Sequence, residues 1–367
     1  MQVFRFLQAV AATCLAVQPA LAQYKIGDRL VVISQAEIIS AGGIRQVLGR
    51  GQDVRVDDIA GDRLIVKNLA AGWIDSNLVA RPEVAVGTFS DQIAFDPLDA
   101  GAFYARGITR ANLNQYDLAI ADFTQAIKLG PTHACGFIGR GNCYSNTGDP
   151  VKANTDYTEA IRLDPNSAIA FTNRARTWNA TGDFANAITD TNEAIRLAPT
   201  YANAYSARAV AFACMKRFDE AFADCDRIAT ISPAGVSGFN DVAWVLAMSP
   251  DAGIRDGKRA VDFATKAVAL TNRMDGNVLD TLAIAWAEAS DFTQAVILEQ
   301  QAIALSADRD RVDFENHLKV FQAKRTLLDD QIAAGQGPVP LSSTKPRTRQ
   351  TSPLPPQRQN LAAKVNR

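Results

Sequence analysis

Small and apolar residues between residues 100 and 233 recur with a period of 34 residues. Each period reads as two amphipathic helices, and the smallest residues mark where the two helices must cross closely. These small residues are Gly107, Gly141, Ala175 and Ala209 in the first helix, and Ala119, Ala153, Ala187 and Ala221 in the second. Glycine followed by aspartate at 148–149 and at 182–183 predicts the turn between helices, because glycine ends helices and aspartate caps them. A proline closes each period.

This period, with small residues, aromatic residues and a closing proline at fixed phases, resembles the tetratricopeptide repeat (TPR). The resemblance implies a mainly α-helical chain, in which stacked hairpins form a solenoid with a groove lined by the first helices. It covers about six repeats over residues 100–308. The fifth repeat is irregular, because Ala260 and Ala267 arrive five residues late after an insertion near residues 249–253. A polar helix over 309–332 is expected to cap the solenoid.

Charged residues follow the same period. Four arginines share one phase, and four aspartates stand sixteen residues after them. They are Arg106, Arg140, Arg174 and Arg208, followed by Asp122, Asp156, Asp190 and Asp224. We predict a ladder of ion pairs between first and second helices, within or between repeats, with an architectural rather than a binding role. As exposed pairs they would contribute about 0–1 kcal/mol each.

From residue 24 to residue 83 the apolar period changes to two, which predicts short β-strands at 30–33, 54–56 and 64–66. The stretch Gly72-Trp73-Ile74 resembles the closing motif of bacterial SH3-like domains, which implies a small all-β barrel. Such domains commonly bind peptidoglycan or protein segments. Trp73 is therefore a candidate surface residue for binding, although a core position is the favoured interpretation. Residues 84–99 read as a linker or a capping helix.

The two termini carry different signals. Residues 1–22 read as a signal peptide, with Arg5, a short apolar core and Ala20-Leu21-Ala22 as the cleavage site. This predicts a secreted or periplasmic protein of the bacterial envelope, with no transmembrane span after cleavage. Residues 333–367 are basic and rich in Pro, Ser and Thr, which predicts disorder. Within this tail, residues 353–358 fit a polyproline ligand or simply a solvated segment.

Composition and motifs argue against an enzyme. The net charge of -1 gives no global attraction to nucleic acid. The chain has only two histidines, His133 and His317, which is few for a metal cluster or a His-based triad. The sequence also lacks the motif of a phosphate-binding loop. We therefore predict no catalytic residues, no metal and no cofactor. Cys135, Cys143, Cys214 and Cys225 are predicted to be free thiols.

The candidate site is the groove formed by positions two, five, nine and twelve of each first helix. The residues selected there, with one neighbour, are Tyr104, Ile108, Ile138, Asn142, Asn173, Arg176, Asn179 and Asn203. Some TPR domains clamp a peptide carboxylate, but the positions that should be basic are Ile138, Asn203 and Ala207. An extended peptide held by asparagine side chains is the predicted ligand, and the alternative that these asparagines are only solvated stays open.

The leading functional hypothesis is a non-enzymatic scaffold that binds a protein or peptide partner and is localised by the SH3-like domain. The alternative is a cell-wall protein that binds peptidoglycan mainly through the SH3-like domain.

Overall fold

A computed structural model of the chain describes residues 28–34, 36–39, 45–60, 63–67, 71–75, 79–231, 237–272, 274–306 and 308–333. The predicted signal peptide and the basic tail with its proline-rich run lie outside these residues. The chain divides into two compact units, one of residues 1–122 with 347–367 and one of residues 123–346.

The first unit contains a seven-stranded sheet in which every neighbouring pair is antiparallel. Its strands are β1 Arg29–Val32, β2 Ala36–Ile39, β3 Arg45–Leu48, β4 Asp53–Ala60, β5 Arg63–Lys67, β6 Ala71–Asp75 and β7 Val79–Ala80. The strand order is β3-β2-β6-β5-β4-β1-β7. The alternating pattern predicted β1, β4, β5 and the region of β6. It missed β2 and β3, which are only four residues long and hold short apolar runs.

A helix, α1 Pro82–Phe95, follows the sheet directly. Proline suits its first turn, where a backbone N–H would have no partner. Phe89 and Ala85 of α1 are fully buried in a cluster with Val31 of β1 and with Ala105. Residues that read as a linker or a capping helix thus form a helix that packs on the sheet.

The rest of the described chain is helical. The helices are α2 Ala100–Asn112, α3 Tyr116–Leu129, α4 Ala134–Asn146, α5 Pro150–Leu163, α6 Ala168–Thr181, α7 Phe184–Leu197, α8 Ala202–Cys214, α9 Phe218–Ile231, α10 Ser237–Met248, α11 Gly257–Leu270, α12 Gly276–Glu288, α13 Phe292–Leu305, α14 Asp308–Gln322 and α15 Leu327–Ala333. From α4 to α13, each first helix packs against the second helix of its own hairpin. The prediction of a mainly helical chain built from hairpin repeats is confirmed. Among the described helices, none has the length and apolar character needed to cross a membrane.

The glycine–aspartate turns have the predicted conformation. Gly148 and Gly182 adopt left-handed φ angles of 80° and 82°, which a residue with a Cβ rarely adopts. The side chain of Asp149 accepts a hydrogen bond from the Lys152 backbone N–H at 3.0 Å, so it caps α5. Asp183 caps α7 in the same way.

The small residues lie where side chains from two helices meet. A Cβ added to Gly141 would stand 2.7 Å from the ring of Tyr157, which is fully buried on the partner helix. In the next repeat Ala175 and Ala187 belong to one buried cluster with Ala211. The repeating small phase is therefore a packing requirement of the hairpin.

The C-terminal helices differ from the expectation. The sequence predicted one polar capping helix over 309–332, but α14 and α15 are separate helices with a turn between them. Lys324 in that turn has a left-handed φ of 53°, and the Thr326 hydroxyl accepts a hydrogen bond from the Asp329 N–H at 3.1 Å. No glycine or proline marks this break, so the pattern did not reveal it.

Candidate functional site

The first helices of consecutive repeats in the second unit lie next to one another, in the order α4, α6, α8, α10 and α12. The sequence predicted that such a row lines a ligand-binding groove. Its polar residues can now be assigned to two kinds, those that join neighbouring first helices and those that remain at the surface.

Asn142 on α4 is an exposed residue at the centre of a small polar network. Its side-chain oxygen accepts a hydrogen bond from the Tyr157 hydroxyl at 2.8 Å and another from the Asn173 amide at 2.9 Å. These two donors occupy both lone pairs of the oxygen. Asn142 therefore cannot hold a peptide group through oxygen and nitrogen together, and only its amide N–H groups remain for a ligand.

Asn179 on α6 has a different position from the one predicted. Its side chain is only 6% exposed, and its amide donates to the Ala207 backbone oxygen on α8 at 2.8 Å. The small residues at 207 and 211 let α8 come this close. Asn179 is thus a buried link between two first helices, and its selection as a groove residue was wrong. A similar link joins α8 to α10, where the Ser206 hydroxyl donates to Asp241 at 2.6 Å.

The other predicted groove residues are partly exposed. Ile138, Asn173, Arg176 and Asn203 are half-buried on α4, α6 and α8, and Tyr104 and Ile108 are half-buried on α2 in the first unit. Burial raises the pKa of the Tyr157 hydroxyl above its ordinary value, while the nearby charge of Arg176 acts in the opposite direction.

Trp73 lies on β6, where Ile65 and Ile39 are its cross-strand partners. Its side chain is outside the described part of the chain, so its choice as a candidate binding residue stays a prediction.

The predicted Arg–Asp ladder is present in all four repeats, within each hairpin. Arg140 holds Asp156 with two hydrogen bonds of 2.9 and 2.8 Å, and the pairs 106–122, 174–190 and 208–224 repeat this fork. Each aspartate is buried, with an exposed fraction between 3% and 5%. The expectation of exposed pairs was therefore wrong, because the helix interface covers the carboxylates.

Each of these arginines has two further contacts. The third guanidinium nitrogen of Arg140 donates to the Thr124 hydroxyl of the preceding repeat at 3.2 Å. Arg174 does the same with Thr158, and Arg208 with Asn192. The guanidinium of Arg140 also lies 5.8 Å from the ring centre of Phe137. One arginine thus joins its own hairpin to the preceding one, which favours the architectural interpretation.

Three of the four described cysteines are buried and are poor candidates for a reactive site. No disulfide joins any of them within the described residues, and Cys143, Cys214 and Cys225 are buried. Burial raises the pKa of Cys143 and of Cys214 to about 12, which keeps both thiols protonated and unreactive.

Three titratable side chains converge in the last repeat, and the sequence analysis missed this group. Asp280 on α12, Glu299 on α13 and His317 on α14 place their side-chain ligand atoms within 4.8 Å of one another. Both carboxylates are fully buried. The His317 Nδ1 lies 2.7 Å from Asp280 Oδ1 and 3.7 Å from Glu299 Oε1. Burial raises the pKa of the Glu299 carboxyl. We call these three residues the acid–imidazole cluster.

Comparison with known proteins relates part of the hairpins to a repeat family. Residues 104–168, 139–202 and 181–236 match the family model of the tetratricopeptide repeat. The crystal structure of a tetratricopeptide repeat protein from Parabacteroides merdae aligns with a TM-score of 0.50 at 13% identity, over 66% of this chain and 92% of that one. YrrB, described as a TPR protein with an unusual peptide-binding site, aligns with a TM-score of 0.38 at 17% identity, over 50% of this chain and 92% of that one. A search of curated proteins found no match.

At such low identity these likenesses bear on the fold alone. The family match covers repeats between residues 104 and 236. The observed hairpins and the likeness to the Parabacteroides merdae protein show that the fold is built from helical hairpins like those of tetratricopeptide repeats.

Proposed function

We propose that this chain is a non-enzymatic scaffold that binds an extended segment of a partner protein, because its hairpins between residues 104 and 236 match the tetratricopeptide repeat. Repeats of this family generally serve as binding surfaces rather than as catalysts. The segment would lie along the row of first helices α4, α6 and α8, whose neighbouring positions support a continuous contact surface.

The observation that carries the proposal is the donor patch, which we define as Asn142, Asn173 and Arg176. The Asn142 oxygen is already occupied by hydrogen bonds from Tyr157 and Asn173, so Asn142 can offer a ligand only its amide N–H groups. Arg176 adds a positive charge and only donor groups. A ligand that supplies acceptors, namely backbone carbonyl oxygens or an acidic side chain, therefore suits the donors of Asn142 and Arg176. Half-buried Ile138 supplies an apolar contact beside them.

A peptide-display selection against the full chain tests this proposal. Selected peptides should be enriched in Asp or Glu at one position and should lose at least about tenfold in affinity for the Arg176→Glu variant. Arg196→Glu is the matched control, because Arg196 is an exposed arginine on the second helix α7 that pairs with Glu193. Equal loss in both variants, or equal binding to both, would contradict a site at the donor patch.

The envelope location and the SH3-like identity of the first unit are further parts of the proposal. They are supported by the signal-peptide pattern of residues 1–22, by the Gly72-Trp73-Ile74 motif and by the sheet of short antiparallel strands. Fusing residues 1–30 to a reporter that is active only after export tests the location. Co-sedimentation of the full chain with purified peptidoglycan tests the alternative function. Pelleting would favour the cell-wall alternative, and a chain that stays in the supernatant would remove it.

A further inference from the structure

The acid–imidazole cluster occupies positions that the repeat architecture buries. Glu299 has the phase of Phe123, Tyr157 and Thr191 in earlier repeats, if Ala295 is aligned with the equivalent alanines, and those three residues are all buried. A charged side chain at this phase is therefore forced into the hairpin interior. The same holds for Asp280, which is fully buried on α12.

With both carboxylates ionised, the charges of these three side chains do not balance among themselves. Burying an ionised carboxylate is costly unless an opposite charge or several hydrogen bonds compensate for the lost water. The cluster contains two carboxylates and a single imidazole, which can supply at most one positive charge. The Asp280–His317 contact of 2.7 Å is a hydrogen bond, whereas the 3.7 Å from His317 to Glu299 is too long for one. Both oxygens of Glu299 are buried without a hydrogen-bond partner.

A divalent cation would resolve this imbalance, because its two positive charges match the two carboxylates while the imidazole stays neutral. Ligands at about 2.0–2.2 Å from a zinc ion are separated by about 3.3–3.6 Å in a tetrahedron. The distance of 3.7 Å between His317 and Glu299 is close to this value. The Asp280–His317 contact would have to open by less than about 1 Å, as a bound ion replaces the hydrogen bond.

The surroundings also suit a bound ion. The rings of Phe314 and Phe321 stand on either side of His317, each with its centre 6.4 Å from the imidazole, and both phenylalanines are buried. Such an apolar shell lowers the local dielectric and orients the ligand. The His317 side chain keeps 21% of its surface exposed, which leaves a route for an ion from solvent.

We propose that Asp280, Glu299 and His317 bind one divalent transition-metal ion that fastens α14 to the last tetratricopeptide hairpin. Zinc is the first candidate, because mixed nitrogen and oxygen ligands suit it and it binds such sets more tightly than manganese or iron(II) does. The three ligands come from three helices, so the ion would act as a structural link across α12, α13 and α14. The binding of a partner at the donor patch is a separate matter and does not depend on this site.

The test is zinc binding by the purified full-length chain after removal of metals with EDTA. Isothermal titration with ZnCl2 should show one ion per chain, and metal analysis after dialysis should find the same stoichiometry. Saturating zinc should raise the melting temperature by about 5 °C or more at a hundredfold excess over Kd, and EDTA should reverse the rise. This measurement on the parent chain needs no variant and so does not depend on how any variant folds.

Variants then locate the ion. His317→Ala and Glu299→Gln should each weaken zinc binding at least about 100-fold, since loss of even an outer-shell partner costs 10–100-fold. His133→Ala is the matched control, because His133 is the other histidine of the chain and lies exposed before α4. The control should bind zinc as the parent does. The proposal is overturned if the parent binds no zinc, if Glu299→Gln binds it as tightly as the parent, or if His133→Ala is the variant that loses it.

Discussion

The Arg140–Asp156 fork can be tested by Asp156→Asn, which keeps the shape of the side chain and removes its charge. Asp156 is 4% exposed and accepts both hydrogen bonds of the fork, at 2.9 and 2.8 Å. The hydrogen bond to this carboxylate raises the pKa of Arg140. In the variant, one of the two guanidinium N–H groups would face the new NH2 group and lose its acceptor.

The size of the effect follows from this geometry. Removing one partner of a buried ion pair costs about 3–5 kcal/mol. The side chain of Arg140 keeps 19% of its surface exposed and retains its bond to Thr124, so part of its charge stays solvated. We therefore expect a loss of about 2–3 kcal/mol, which for a unit of this size is about 4–12 °C in melting temperature.

The same helix supplies a matched control. Arg162 holds Glu159 in a fork with bonds of 2.9 and 2.6 Å, but the side chains are 66% and 35% exposed. Glu159→Gln should shift the melting temperature by no more than about 1 °C, because water and salt screen exposed pairs. The two forks thus have similar hydrogen-bond lengths, and they differ in burial and in joining one helix or two.

Circular dichroism melts give the two shifts, and hydrogen exchange in α4 and α5 shows whether the loss is local, as expected for a repeat array. Peptide binding at the donor patch should be unchanged in both variants. Equal melting shifts for Asp156→Asn and Glu159→Gln would refute the claim that burial increases the contribution of the Arg–Asp pairs to stability.

Three further predictions concern other parts of the chain. The hydrogen bond from Arg50 lowers the pKa of Asp99. This pair therefore stabilises the first unit above the ordinary aspartate pKa of about 3.9, and the stabilisation is lost as the pH falls below that value. The difference in melting temperature between the parent and Arg50→Gln should shrink from pH 6 to pH 3, and a constant difference would contradict this prediction. Gly257→Ala should lower the free energy of unfolding by about 1–3 kcal/mol, because the added Cβ would lie 2.6 Å from backbone atoms. Gly87→Ala should raise it by about 0.5–1 kcal/mol, because nothing lies within reach of the added Cβ. Urea melts that show the same sign for both variants would refute this prediction. With a pKa of about 12, Cys143 should react with iodoacetamide at pH 8 about 1,000-fold more slowly in the native chain than after unfolding, and mass spectrometry that finds similar rates would contradict its burial.

The periodic part of the fold could be predicted because each structural role recurs at a fixed phase. The Arg–Asp pairs were visible for this reason, since a contact made four times leaves four pairs of residues at one spacing. The burial of Asn179 was not visible, because it depends on how closely α6 approaches α8, and that distance is set by small residues 28 positions further along.

The acid–imidazole cluster escaped prediction for a related reason. Its residues stand on three helices, and His317 lies beyond the last repeat, where no phase relates it to Asp280 or Glu299. One signal was available in the sequence. A glutamate occupies a phase that carries buried residues in earlier repeats, and a charge at such a phase requires a partner.

The last two repeats reveal the structural role of the Arg–Asp forks. In repeats five and six the two fork phases are apolar, with Val242 opposite Phe263 and Leu282 opposite Leu298, and all four residues are buried. Hairpins of the same kind therefore form with or without the fork, as expected if a buried ion pair can be exchanged for packed apolar groups at little cost. What the apolar pairs lack is the bond from each arginine to the preceding hairpin. The forks thus act in the alignment of successive repeats, and partner recognition has to come from residues outside those phases, of which the donor patch is the clearest group.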